Sequence, residues 1–186
     1  MKRNVLLAIV ALCTLASQPA WSQSNVGFQR GGIALSMVSP ENIDATLGLG
    51  VFADLGTIAP RWGLEGRLDW WSHSEDFFGA DVSMSDITLG ARTKYNFPTK
   101  SNLQPFAGAG LGIHFLSMEV GLVDPFTGLS MGTADASETR VGVDVGGGFS
   151  TSLSARTNLL AEGWFSLVSD FDQFALRVGL SQAFGN

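Results

Sequence analysis

The chain has 186 residues and a net charge of −6, enough for one domain with no room for a second sizeable core. The acidic balance offers no basic footprint and so excludes nucleic acid as a partner. One cysteine, Cys13, rules out a disulfide framework.

In chain order the first element is a leader. Lys2 and Arg3 form a cationic start, Val5 to Leu15 an apolar run, and Ala20-Trp21-Ser22 places small residues at a cleavage site before Gln23. An apolar run of about 11 residues is too short for a membrane anchor, which needs about 20. Residues 1–22 therefore read as a signal peptide and 23–186 as the mature domain. Cleavage removes Cys13 and two basic residues. The mature chain is then more acidic and has no thiol for catalysis or metal binding.

The mature chain divides into eight segments in which apolar and polar residues alternate, the mark of strands with two different faces. The first, Asn25 to Met37, changes face near Gly31-Gly32, which predicts a bulge there. In the second, Asp44 to Leu55, Ala45, Leu47, Leu49, Val51 and Ala53 share one face and Asp44, Thr46, Gly48, Gly50, Phe52 and Asp54 the other. Arg61 to Ser72 is the third. The fourth, Asp86 to Phe97, sets Ile87, Leu89, Ala91, Thr93 and Tyr95 against Asp86, Thr88, Gly90, Arg92 and Lys94. Leu103 to Met118 is the fifth, and Arg140 to Phe149 the sixth, with Val141, Val143 and Val145 opposite Arg140, Gly142 and Asp144. Thr157 to Val168 and Phe174 to Phe184 complete the set. Each is at least as long as the roughly 9–11 residues with which a tilted strand crosses a bilayer, and no apolar run in the mature chain could cross as a helix.

Alternation alone leaves open which face is inside. A lipocalin-like soluble barrel turns the apolar face inward, whereas a membrane barrel turns it to lipid. The polar face carries too many charges for a soluble core, among them Glu65, Arg67, Asp69, Asp86, Arg92, Lys94, Arg140, Asp144, Glu162 and Arg177. It is also rich in glycine, which suits a crowded bore. Trp62, Trp70, Tyr95, Phe97, Phe115 and Phe184 gather toward the ends of the apolar face, as interfacial girdles do. The expected fold is an all-β, eight-stranded antiparallel up-and-down transmembrane barrel.

With the N-terminus on the periplasmic side, the connections 56–60, 98–102 and 153–156 are short and inner. Those at 38–43, 73–82, 119–137 and 169–173 face outward, and the longest falls there, as in such barrels. Asp124-Pro125-Phe126-Thr127-Gly128 is a turn signal, so 119–137 is expected to be a hairpin standing above the membrane. Trp71, Phe77, Phe78, Leu122, Phe126 and Leu129 would add apolar surface to the outer loops.

Pro105-Phe106-Ala107-Gly108-Ala109-Gly110-Leu111-Gly112 resembles the fifth strand of the OmpA/OmpX-type small outer-membrane β-barrel family. Arg177-Val178-Gly179-Leu180-Ser181-Gln182-Ala183-Phe184 is similar to the family's closing strand, which carries the signal read by the barrel-assembly machinery. The resemblance implies the outer membrane as location, lipid and lipopolysaccharide as surroundings, and Gly179 and Phe184 as parts of the assembly signal. A monomer is expected.

Eight strands enclose a bore just wide enough for their own side chains. Charges there cannot stand alone, because an unpaired buried ion costs several kcal/mol. The ten lumen-face residues named above are therefore expected to form an interlocked ion-pair network in a largely plugged lumen. The alternative is a narrow channel for small solutes, whose charged ring would set selectivity. A lipid A-modifying enzyme is the third reading. His114 with Ser117, or His73-Ser74-Glu75, would have to supply it. Strand residues three apart point to opposite faces, so neither spacing joins nucleophile to base. No enzyme activity, cofactor or metal site is expected from two isolated histidines and scattered carboxylates.

Overall fold

A computed structural model describes residues 24–77, 80–123, 130–169 and 171–184; the proposed signal peptide lies outside them. The described residues form eight strands: β1 (Asn25–Pro40), β2 (Thr46–Ala59), β3 (Trp62–Phe77), β4 (Ala80–Asn96), β5 (Leu103–Val123), β6 (Ser130–Ser152), β7 (Thr157–Val168) and β8 (Gln173–Ala183). Each pairs antiparallel with the next, and β8 returns to β1, so the sheet closes into a barrel. Closure gives each strand two hydrogen-bonded neighbours, the condition for a sheet to lie in lipid.

The alternation is resolved as the charge argument requires. On β1, Ile33 and Leu35 are 67% and 64% exposed, while Ala34 between them is 4% exposed. The same holds around the wall: Leu49, Leu89, Leu111, Val141 and Val178 point out. Glu65, Arg67, Arg92, Asp144, Glu162 and Arg177 are buried in the bore. At the short-turn end, Trp62, Tyr95 and Phe97 pack edge to face or tilted, with ring centroids 5.3 and 5.2 Å apart. Phe28 and Phe184 meet there at 5.4 Å.

Two local expectations are corrected. The irregularity of β1 lies between Val26 and Arg30, upstream of Gly31-Gly32, which pair in regular register with Ala53 and Phe52. A matching slip on β2 follows Asp54, whose Oδ1 accepts a hydrogen bond from the Gly56 amide at 2.9 Å. Second, the expected outer loops 73–82 and 119–137 are largely strand. Pairing of β3 with β4 runs to Phe77↔Ala80, and of β5 with β6 to Val123↔Ser130. Thr133-Ala134-Asp135-Ala136-Ser137 lacks an apolar stripe because both of its faces are exposed, so strand structure there leaves no two-faced signature. The turn at 124–128 lies outside the described residues.

The extension is lopsided. Backbone pairing of β6 with β7 begins at Gly142↔Val168, and that of β2 with β3 ends at Gly48↔Trp71. Outward of those levels β3, β4, β5 and β6 stand as a four-stranded sheet. Among the described residues its two margins, β3 beyond Trp71 and β6 before Arg140, have no paired strand.

Candidate site: the charged lumen and the outer sheet

Glycines create the room for the lumen charges. Directly opposite Asp69 stands Gly50, opposite Arg67 Gly90, opposite Lys94 Gly108, opposite Asp144 Gly110 and opposite Glu162 Gly148. A long charged side chain can then lie across its neighbour's backbone. Register itself sets one ion pair, Glu162 with Arg177 across β7–β8; it also puts Glu65 opposite Arg92 across β3–β4, but Glu65 pairs with Lys94 and Arg92 with Asp144.

From the short-turn end upward, Ala34, Phe52 and Leu160 form a small apolar cluster. Above it Lys94 Nζ donates to Glu65 at 2.5 Å and to Glu162 at 2.9 Å, 4.7 Å from the Phe106 ring centroid. Arg177 reaches Glu162 at 2.8 Å and Asp69 at 3.3 Å. Asp144, with no exposed surface, accepts from Arg67 at 2.6 Å, Arg92 at 3.1 Å and the Ser166 hydroxyl at 2.5 Å. Arg67 also donates to Asp69. The Arg92 guanidinium lies 4.0 Å over the ring of Trp164, itself fully buried. Four bases (Arg67, Arg92, Lys94 and Arg177) thus meet four carboxylates (Glu65, Asp69, Asp144 and Glu162), and their formal charges cancel.

Two of the sequence-derived network residues stand elsewhere. Asp86 is fully buried beside His114, Oδ2 to Nδ1 2.7 Å, with the Thr88 hydroxyl 3.0 Å from the same nitrogen. Arg140 stands toward the outer rim, donating to Glu138 at 2.6 Å and to the Ser169 carbonyl. Its hydrogen bond and charge hold the exposed Glu138 carboxyl below the ordinary value. Outward of His114 the bore is filled by Val38, Trp71, Leu116, Val168 and Phe171, and Trp71 Nε1 donates to Gln173 at 3.2 Å. Trp71, expected on an outer loop, is 2% exposed and belongs to this apolar layer. Of the other loop apolars, Phe78, Phe126 and Leu129 lie outside the described residues.

Sequence reasoning missed Trp71, Trp164, Leu116 and Phe171 as lumen residues because it sorted faces by polarity. Strand parity would have found Trp164, two residues beyond Glu162, and Trp71, two beyond Asp69.

Among the described residues neither histidine heads a catalytic relay. Asp86 and Thr88 approach the same nitrogen of His114, whereas a relay needs base and orienter on different ring nitrogens. Ser117 is exposed on the opposite face. His73 pairs with Glu75 at 3.0 Å on β3, not in a loop, and Ser74 points away from both. Gly179 sits in register between Ala34 and Leu160, and Phe184 packs on Phe28 at the seam of β1 and β8.

Comparison with known proteins gives the same picture. The family described as outer membrane protein beta-barrel domain matches residues 5–184. No curated protein matches the chain. Among solved structures it is similar to Neisserial surface protein A, with a TM-score of 0.61 and 19% identity over 84% of this chain and 96% of that one. Ail, the attachment invasion locus protein of Yersinia pestis, gives a TM-score of 0.56 at 14% identity, covering 84% and 97%. OprG of Pseudomonas aeruginosa gives 0.50 at 14% identity, covering 88% and 99%. At such identities these likenesses speak to fold, and the fold they share is the small outer-membrane barrel. The apolar outer wall, the charged bore and the family match converge: the chain belongs to the outer-membrane β-barrel domain family and resides in the outer membrane of a Gram-negative cell.

Proposed function

We propose that the protein is a non-conducting barrel with a plugged lumen, holding a protruding β-sheet at the cell surface in a structural or surface-interaction role without catalysis. The observation that carries this reading is the mutual pairing of the lumen's charges. Apolar layers lie on both sides of them. A hydrated ion entering would have to break several short ion pairs at once and shed its own water.

The outer sheet supports the surface role. β5 and β6, with 21 and 23 residues, are about twice the length needed to cross. The added length forms a sheet whose β6 margin is open to strand addition by an extended segment of another protein. Asp135 and Glu138 on that margin guard against pairing between copies, which fits a monomer. During biogenesis, Gly179 and Phe184 on the closing strand would engage the barrel-assembly machinery, and lipopolysaccharide would surround the finished wall.

A second reading, a narrow channel for small solutes, draws on one feature. A cavity of about 130 Å³ opens at the short-turn end and reaches Glu65 and Lys94. Osmotic swelling of proteoliposomes separates the two. A plugged barrel gives no swelling with glycine, glycerol or arabinose above protein-free vesicles. Solute-dependent swelling would establish the channel instead.

A further inference from the structure

Charge is divided between the two ends of the barrel. Arg61 stands in the β2–β3 turn, Lys100 in the β4–β5 turn and Arg156 in the β6–β7 turn, one base to each short connection and no carboxylate in any. The opposite end is the reverse. Segments 41–44, 73–82, 119–138 and 169–172 hold carboxylates and no lysine or arginine. The three turn bases are exposed, and among the described residues none has an ion-pair partner. Arg30 joins the same rim, its Nη1 donating to the Arg156 carbonyl at 3.3 Å. Asp54 lies opposite Arg30 in register and accepts from the Gly56 amide, so it leaves the turn bases uncompensated.

Backbone preference does not account for an arginine at position 61. Its φ of 68° lies in the left-handed region, where glycine or asparagine is favoured. The turn is tied by its backbone, the Arg61 carbonyl accepting from the Asn96 amide at 2.8 Å, which leaves the side chain to reach outward. Each base also has an apolar anchor close by in the chain. Trp62 follows Arg61, Phe97 precedes Lys100 by three residues, and Leu153 precedes Arg156 by three; all three anchors are exposed. Trp62, Tyr95 and Phe97 pack together as the aromatic girdle of this end, the level of the lipid headgroups. A base at most three residues beyond such an anchor is within about 10 Å of it, at the height of the lipid phosphates.

We propose that the short-turn rim selects anionic phospholipid in the periplasmic leaflet. A zwitterionic headgroup carries its own ammonium beside its phosphate, whereas an anionic one brings the charge that uncompensated bases need. The bases are spread over three separate turns, each beside a membrane anchor, and not gathered round one pocket. That distribution fits several lipid headgroups around a circumference better than one soluble anion. The acidic outer end has no such preference, so the selection belongs to one leaflet, the periplasmic one to which short turns point. The proposal adds to the surface role and is indifferent to whether the lumen conducts.

Trp62 and Trp70, 39% and 46% exposed on the lipid face toward opposite ends, report the lipid beside each end. The mature protein is folded into phosphatidylcholine vesicles containing a minor fraction of phosphatidylglycerol brominated near the carboxyl end of its acyl chains. Each indole's share of the emission is defined by difference from Trp62→Phe or Trp70→Phe. Trp62 is expected to be quenched as if the anionic lipid were enriched about fivefold beside it, and Trp70 to show no enrichment. Arg61→Gln, checked for a folded barrel by heat-sensitive gel mobility, returns Trp62 to the bulk lipid ratio. Potassium chloride at about 1 M does the same in the unaltered protein, because it shortens the screening length to about 3 Å. Equal quenching by brominated phosphatidylcholine at the same fraction, enrichment that survives Arg61→Gln or salt, or equal enrichment at Trp70 would each overturn the proposal. So would an unselective rim that instead retains soluble polyphosphate, which would assign the bases to a periplasmic polyanion.

Discussion

Asp144→Ala is expected to destabilise the folded barrel by about 3–5 kcal/mol, the range found when one partner of a buried ion pair is removed. Asp144 has no exposed surface and accepts from Arg67, Arg92 and Ser166 at once. Without it two buried guanidiniums lose the carboxylate they share. Reversible guanidinium unfolding in lipid vesicles, followed by gel mobility, would show the midpoint falling. Asp144→Ala combined with Arg67→Leu should recover part of the loss, because one of the uncompensated cations is removed as well. Glu138→Ala provides the contrast. That carboxyl pairs with Arg140 but is 60% exposed, and its removal should leave the midpoint where it was. An unmoved midpoint for Asp144→Ala would mean that the lumen is wet enough to solvate both guanidiniums.

Trp164→Ala is expected to cost a further class of stability, about 3–5 kcal/mol from lost packing and the cavity left behind. The indole is fully buried, and Arg92 lies 4.0 Å over its face. Removing it therefore strips a desolvated cation–π contact, worth about 2 kcal/mol within that total. Trp164→Phe keeps an aromatic face for Arg92 and should retain most of the stability. The same unfolding titration reads both variants. Equal midpoints for Trp164→Ala and wild type would show that the indole is not part of a packed interior.

The fold was legible because the bilayer writes on a sequence with period two. Ile33, Leu35, Leu49 and Val51 must be apolar to face lipid, while Arg92, Asp144 and Arg177 are tolerable only inside, so charge, with the glycines beside it and the aromatics at the strand ends, decided which face was which. Above the membrane that pressure ends. Thr133 to Ser137 and His73 to Glu75 are strand with both faces polar, and they read as loop until backbone pairing revealed them. Within the bore the charged members were visible one by one, but their partners were not. Register puts Glu65 opposite Arg92 and Asp144 opposite Ser166, yet the ion pairs of Glu65 and Asp144 run to residues on non-adjacent strands or at diagonal positions. Arg67–Asp144 joins β3 to β6, a relation that no spacing along the chain encodes. Trp71 and Trp164 hid for a different reason: an apolar residue in a membrane barrel is taken for a lipid-facing one unless strand parity is applied to it.

The account rests most heavily on the lumen being closed by its own side chains. Single-channel recording in planar bilayers, with the purified mature protein inserted at low density in molar potassium chloride, tests this directly. A plugged lumen predicts a baseline without discrete steps while insertion is verified by heat-sensitive gel mobility of the recovered protein. Regular, reproducible conductance steps from verified barrels would contradict it, and the paired charges would then have to be read as the lining of a pore.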